Sequence, residues 1–501
     1  MTYNEVFENL KKYYKPEELK LFARGFEFAK NAHEGQMRKS GEPYVGHCLA
    51  VADYLGNHLH MDMDTLVAGL LHDVPEETKK KIADVKKIFG EEVAFMVEGI
   101  TKLGVIKLRD QQDENYIETL RKMFLAMAAD IRVVLIKLAD RRHNMQTLQH
   151  LPPEKAQRIA RETLEVYAPI ADRLGMGELK GELEDLSFPF VYPEDYAWLT
   201  ELGKVQRDEM HEYVDRAQKL IEKDFTEAGI KLSDIHGRAK QRFSLYQKLL
   251  RPKYDRDLSK IYDLVALRVV TKSLEDCYTA LGVLHSKYRP LPGRIKDYIA
   301  FPKPNGYRSI HSTVWGPEGR ILEVQIRTQD MHREAEYGIA AHWAYAEKGK
   351  PKTGVIVPKG QLEWVNQLRD WQKETGADPK EFLESLKIDF FKNRIFIFTP
   401  RGDVKDLPEG TTALDFAFGV HTDLGLHATG AKVNGKMVKL ADELKNGDVV
   451  EILLAKEPKV SRDWLNFVKT SNARGKIRSY LHRHRTGFLE GLLPKIPFIK
   501  K

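Results

Sequence analysis

Two histidines and two aspartates in the first third of the chain have the types and spacing to hold a divalent cation: His47, the adjacent pair His72 and Asp73, and Asp140. Two imidazoles with two carboxylates suit Mn²⁺ or a similar ion rather than a structural zinc, which favours more sulfur and a closed tetrahedron. Glu76 and Glu77 follow the pair closely, where a carboxylate can orient or deprotonate a cation-bound water whose pKa the charge lowers. A lone His-Asp pair is common without any metal. Four ligand-type residues beside a basic loop, RKSGEPY at 38–44, make a stronger signal.

A second constellation lies further on. Asp263 and Glu323 stand out as acids inside apolar, β-branched runs, and the segment GRAKQRFSLYQKLL (237–250) spaces Arg238, Lys240, Arg242 and Lys248 so that several can face one anion. A carboxylate for Mg²⁺, a base for an attacking hydroxyl and cations for a triphosphate are the parts of a phosphoryl-transfer site. Between those acids runs GRIKDYIAFPKPNGYRSIH (293–311), which carries Arg294, Lys296, Lys303 and Arg308 among Tyr298, Phe301 and Tyr307. Cations serve phosphates, an aromatic face serves a base, and Asn305-Gly306 permits a tight turn beside it. A solvated hairpin with a basic rim fits the same stretch, and the charges at 248–260 read as a solvated face.

The elements that must position these groups differ along the chain. Apolar residues recur at helical spacing through 66–71, 93–97, 117–127 and 131–138, so the first 195 residues read as all-helical. Two of these helices run apolar into His72-Asp73 and Asp140, with Asn144 one turn later on the same face. A carboxylate ending such a run is costly unless a cation compensates it. From about residue 200 the pattern alternates: 261–270, 311–316 and 321–328 read as strands and 277–288 as a helix, which predicts a mixed sheet. Residues 347–361 read as a linker, with helices around 362–373 and 379–386, and a small β-rich module follows.

With 501 residues, 42% hydrophobic and 31% charged, the chain has the composition of several globular domains. No apolar run reaches the ~18 residues of a membrane span. The start lacks a secretory apolar region, and Cys48 and Cys277 have no ligand spacing, so the cytoplasm is the expected compartment. A net charge of +7 suits anionic ligands and is a mild signal for nucleic acid.

The His-Asp set resembles the HD phosphohydrolases. The whole chain resembles the long RelA/SpoT homologues, which make and destroy the alarmone (p)ppGpp of the stringent response. The match is carried by RKSGEPYVGH, HDVPEET, TKLG, KLADRRHNM, YAPIADRLG, GRAKQRFSLYQK, YDLVALR, the 293–311 stretch, EVQIRT and AEYGIAAHWAY. It implies a multidomain α and α/β protein: an all-helical HD-type hydrolase domain (1–195), a mixed α/β nucleotidyltransferase-like synthetase domain (196–345), a linker with helices (346–390), a small β-grasp TGS domain (391–455) and the start of a helical region (456–501). Zinc-finger and ACT regions of the longest members have no counterpart here.

The resemblance further implies an enzyme that moves pyrophosphate from ATP to the 3′-hydroxyl of GDP or GTP, and one that removes it with Mn²⁺. Asp263 would hold Mg²⁺ and Glu323 would activate the hydroxyl. Arg238 and Arg268 would sandwich adenine, Lys240, Ser244 and Lys248 would meet the ATP phosphates, and Tyr307 would stack guanine. Asn305 and His311 lie near that stack, with Lys303 on the acceptor phosphates, and Lys296 belongs to the basic RIKD motif that accompanies members keeping both activities. His47, His72, Asp73 and Asp140 would hold Mn²⁺, Glu76 and Glu77 would handle water, and Arg38 and Asn144 would contact the nucleotide. The TGS module would inspect uncharged tRNA on the ribosome, with His421 the residue to watch; a hydrogen-bonded turn histidine fits that position equally. Glu77 replaces the family's usual Asp, and Arg142 stands where an apolar residue is usual; both bear on hydrolysis and neither removes a ligand. A one-way synthetase and a non-catalytic ribosome- or tRNA-binding regulator remain alternatives at this level.

Overall fold

A computed structural model describes residues 2–104, 130–261, 264–303, 305–341 and 394–490. The expected helix at 117–127, the linker and helices of 347–386, and Asp263 lie outside those residues. The chain divides into two compact units, Met1–Thr375 and Gly376–Lys501. No helix among the described residues is long and apolar enough to cross a membrane.

The first unit opens with helices, and three of them bring the ligand-type residues into place. Helix Met63–Leu71 is buried at nearly every position, and Asp62 caps it by accepting from Thr65 N (3.0 Å). It ends on His72, and Asp73 starts the short turn Val74–Glu77, whose Pro75 suits a helix beginning. Helix Ile131–Gln146 is capped by Asp130 and buries Val133 to Ile136, Leu138 and Ala139 before Asp140. Helix Tyr44–Asp53 carries His47 and follows a tight loop closed by Arg38 N to Glu42 O (2.8 Å), in which Gly41 takes φ +85°.

Helix Ala168–Arg173 leads into a turn at Gly175 (φ +75°), then helix Gly177–Val191, and then the 35-residue helix Pro193–Glu227. Gly175 breaks the helix and Gly177 begins the next. Gly181 stays inside, where a side chain would overlap Gln241. The expected boundary at residue 195 falls within the first turn of the long helix.

Five strands follow: β1 (Leu232–Ala239), β2 (Val265–Thr271), β3 (Pro290–Asp297), β4 (Ile310–Trp315) and β5 (Ile321–Thr328). Their order is β1-β2-β5-β4-β3, with β2 and β5 parallel and every other pair antiparallel. The described part of β2 begins at Val265, and a 3₁₀ turn at Leu258–Lys260 lies just before the apolar run.

Strand alternation sorts this sheet into two unlike faces. Ile235, Leu267, Val269, Ile310, Val314, Val324 and Ile326 pack against Tyr213, Ala217, Ile221 and Phe225 of the long helix and Ala280 and Leu284 of helix Leu274–Lys287. Register puts the other set together: Arg238 pairs with Ala266, which pairs with Glu323, while His236, Arg268, Gln325, His311 and Lys296 form the neighbouring row. The candidate chemistry of this region occupies that polar face.

The second unit has the β-grasp pattern. Hairpin β6–β7 (Arg394–Phe398, Val404–Pro408) precedes helix Ala413–Val420, and β8 (Ala428–Val433), β9 (Lys436–Val438) and β10 (Val450–Leu454) form a second ladder. A bridge between Phe398 and Val449 joins the ladders. Buried Asp415 accepts from Thr412 N (3.0 Å), Thr470 N (2.8 Å) and both threonine hydroxyls, which pins the segment before helix Ser471–Glu490.

Candidate active sites

In the helical part, four side-chain atoms converge. His47 Nε2 lies 3.2 Å from His72 Nε2, 3.5 Å from Asp73 Oδ2 and 3.3 Å from Asp140 Oδ1; His72 Nε2 lies 3.3 and 3.8 Å from those oxygens. Donors at about 2.0–2.2 Å from one ion stand about 3–3.6 Å apart, a spacing that all but the 3.8 Å gap from His72 to Asp140 meets, and His47, His72 and Asp73 form the tightest group. The chemistry also fits. His72 Nδ1 is 2.7 Å from Gly69 O, which only accepts, so Nδ1 carries a proton and Nε2 is the nitrogen turned to the cluster, the one that would bind a cation.

Outer contacts hold these ligands. Tyr44 Oη donates to Asp73 Oδ2 (2.7 Å), and Lys137 Nζ sits 2.8 Å from Asp140 Oδ2. Burial works against charge on Asp140, but Lys137 and the two histidines hold its carboxyl well below the usual range. Burial likewise opposes Asp73, whose pKa His72 and His47 keep low. Burial opposes a charge on His72, yet Asp73 and Asp140 push its pKa up to about 10. Two ionised carboxylates thus face the two imidazoles across the cluster.

Glu76 and Glu77 sit at the rim of this cluster. Partial burial raises the pKa of Glu76 against the pull of Lys137. The Glu77 carbonyl accepts from Gln36 Nε2 (2.9 Å), which ties the turn to the basic loop. Arg38 reaches Asn144 Oδ1, and Asn144 Nδ2 donates to Asp140 Oδ1, so both expected nucleotide contacts touch the cluster's edge. Arg142 turns away: its Nε donates to Glu182 Oε2 (2.6 Å) and its guanidinium lies 4.5 Å from the centre of the Tyr54 ring.

On the polar sheet face, Tyr307 Oη lies 2.8 Å from His311 Nε2, and His311 Nδ1 lies 3.3 Å from Glu323 Oε1. Burial lowers the His311 pKa against Glu323, which favours a neutral ring that donates to the carboxylate and accepts from the phenol. Gln325 Nε2 also donates to Glu323 Oε1 (2.9 Å). Lys303 Nζ sits 4.8 Å from the ring centres of both Tyr298 and Tyr307, and burial lowers its pKa. Asn305 Oδ1 accepts from Tyr307 N (3.2 Å) and Gly306 takes φ +79°, the tight turn that Asn-Gly predicts.

Arg268 is buried and paired with Glu336 (2.9 Å), which also meets fully buried Arg327 (3.2 Å). Burial, then Arg238 and Arg327, pull the Arg268 pKa down to about 9. Arg238 lies on β1 and Lys240 just beyond it; Ser244 and Lys248 lie on helix Arg242–Leu249, with Ser244 Oγ 3.4 Å from Glu184 Oε2. Lys296 is on edge strand β3. In the second unit, His421 accepts from Asp423 N (3.3 Å) and caps helix Thr422–Leu426, the plain turn role.

Sequence reasoning missed Lys137, His143, Tyr44, Gln325 and Glu336. Lys137 and His143 stand three residues either side of Asp140, and helical spacing is the signal that finds them.

A His-Asp cluster on packed helices, a mixed sheet with one polar face and a β-grasp module define a class of protein built from HD, RelA/SpoT and TGS regions. Residues 25–177 match the HD domain, 237–350 the region found in RelA / SpoT proteins, and 395–454 the TGS domain. The chain is 47% identical over 495 residues to the bifunctional (p)ppGpp synthase/hydrolase RelA of Mycobacterium tuberculosis, covering 97% of this chain and 66% of that one. It is 44% identical over 480 residues to the bifunctional (p)ppGpp synthase/hydrolase SpoT of Escherichia coli, covering 95% and 67%. A GTP pyrophosphokinase of Streptomyces coelicolor is 47% identical over 482 residues, covering 93% and 56%. The chain belongs to the RelA/SpoT family, and it spans between about half and two thirds of the length of these relatives.

Proposed function

We propose that the chain is a bifunctional alarmone enzyme. It transfers the pyrophosphoryl group of ATP to the 3′-hydroxyl of GDP or GTP, giving (p)ppGpp, and hydrolyses (p)ppGpp to GDP or GTP and pyrophosphate. One observation carries this reading: a single unit brings His47, His72, Asp73 and Asp140 together and, on separate elements, has a polar sheet face with the chain Tyr307–His311–Glu323. The names of the relatives, which include both activities, support it.

In the hydrolytic site His47, His72, Asp73 and Asp140 would hold Mn²⁺, which would lower the pKa of a water there. Tyr44 and Lys137 keep two of the ligand carboxylates in orientation, and Glu76 and Glu77 take up or return the proton at the rim. Arg38 and Asn144 meet the nucleotide. In the synthetic site Asp263 would hold Mg²⁺, which would neutralise charge on the ATP phosphates. Lys240, Ser244 and Lys248 bind those phosphates, and Arg238 and Arg268 flank adenine. Arg268 must leave or share Glu336 to do so. Tyr307 stacks the acceptor guanine, Lys303 and Lys296 meet its phosphates, and Glu323 takes the hydroxyl proton with its carboxylate oriented by His311 and Gln325. The TGS module contacts uncharged tRNA and the ribosome.

The test is turnover by the purified chain, with ATP and GDP in Mg²⁺ and with ppGpp in Mn²⁺. Product in both reactions is expected. A protein that binds these nucleotides and turns over neither is a regulator, and the proposal is then wrong.

A further inference from the structure

His143 has no role in the chemistry above, yet it sits between the basic loop and a metal ligand. Its Nδ1 is 2.8 Å from Arg38 Nη1 and 2.9 Å from His47 Nδ1. A guanidinium can only donate, so His143 Nδ1 is the acceptor in the first contact and carries a lone pair. His47 Nδ1, facing the same lone pair, is then the donor. The remaining nitrogen of His47, Nε2, is left to face His72, Asp73 and Asp140. The other hand of Arg38 works in parallel. Arg38 Nη2 donates to Asn144 Oδ1, which fixes that amide with its Nδ2 donating to Asp140.

We infer that Arg38 and His143 are a positioning pair for the cation site, setting the orientation of His47 directly and of Asp140 through Asn144. The inference rests on the reading that His47, His72, Asp73 and Asp140 hold a divalent cation. It gives Arg38 a task separate from nucleotide contact, and the loop is built for one. Arg38 N donates to Glu42 O (2.8 Å), Gly41 N donates back to Arg38 O (3.0 Å), and a bridge joins Met37 to Pro43. His143 itself is carried by the Asp140 helix, so Arg38 ties that helix to the His47 helix across the cluster.

Calorimetric titration of Mn²⁺ alone into the cation-free full chain tests this. Loss of an outer partner of a metal-bound histidine typically costs about 10–100-fold in affinity, so His143→Leu and Arg38→Met should each weaken Mn²⁺ binding by about that factor. His143→Asn should restore binding to within a few-fold of the parent, because its Oδ1 hangs from Cγ where Nδ1 did and accepts from both partners. The Asn variant keeps the test open if the Leu variant fails to fold. Parent protein that binds no Mn²⁺ overturns the cation reading itself. Parent and His143→Leu binding equally well overturns only the positioning role, and so does an Asn variant as weak as a folded Leu variant, since packing and not an acceptor then matters. An Arg38→Met variant with unchanged Mn²⁺ affinity removes Arg38 from the pair.

Discussion

At the scale of single residues, the polar sheet face separates stacking from orientation within one side chain. The Tyr307 ring offers a face to a base, while its hydroxyl meets His311 and through it Glu323. Base–aromatic stacking is worth about 1–3 kcal/mol, so Tyr307→Ala should raise the KM for GDP about 5- to 150-fold where KM approximates a dissociation constant. Tyr307→Phe should leave that KM within a few-fold and lower kcat, because the ring stays and the hydroxyl goes. Steady-state kinetics with each nucleotide varied in turn checks both. A raised ATP KM with an unchanged acceptor KM means that the two pockets are assigned the wrong way round.

At the scale of elements, helix Gly177–Val191 does the joining. Glu182 accepts from Arg142 (2.6 Å) and Gln146 (2.9 Å) of the Asp140 helix. One turn on, Asp185 accepts from the backbone N–H groups of Arg242 (3.2 Å) and Phe243 (2.9 Å), capping the helix that carries Ser244 and Lys248, which has no side-chain cap of its own. Removing such a cap costs about 0.5–2 kcal/mol. Asp185→Ala should therefore lower the thermal midpoint measurably and weaken ATP binding, and Asp185→Asn should keep most of both. Equal midpoints for the three proteins would mean that the cap is redundant. The elements themselves are legible from sequence where a pattern is local. β5 coincides with the alternating run at 321–328, and the apolar runs lead into His72 at a helix end and into Asp140 within helix Ile131–Gln146. Sheet order is not legible, because parallel pairing of β2 with β5 joins segments more than fifty residues apart that no local period links. His143 and Glu336 escape notice for a similar reason. Each looks like an ordinary charged or polar helix residue until tertiary contact gives it a partner, Arg38 in one case and Arg268 with Arg327 in the other.

At the scale of the whole molecule, two opposed reactions in one chain would only consume ATP unless one site is quiet while the other works. The turn before the joining helix touches the candidate guanine loop, where Asn305 Nδ2 donates to Asp172 O (3.3 Å), and the segment after helix Gln329–Tyr337, where Ile339 N donates to Leu174 O (2.9 Å). A ligand that shifts this contact acts on both sites. A non-hydrolysable ATP analogue should weaken (p)ppGpp binding to a Glu77→Gln variant about 5- to 150-fold, and (p)ppGpp should weaken the analogue by the same factor, since binding coupling is reciprocal. Calorimetry of each ligand with and without the other gives the four constants, and independent binding would make the helix a mere connector. The most direct measurement of the central claim is the pair of activities of Asp73→Ala and Glu323→Gln. Asp73→Ala should lose hydrolysis of ppGpp in Mn²⁺ and keep synthesis, and Glu323→Gln should lose about 10²–10⁴-fold of synthesis and keep hydrolysis. Folded variants that each lose both reactions, or an Asp73→Ala protein that still hydrolyses ppGpp at the parent rate, would contradict two separate sites in one chain.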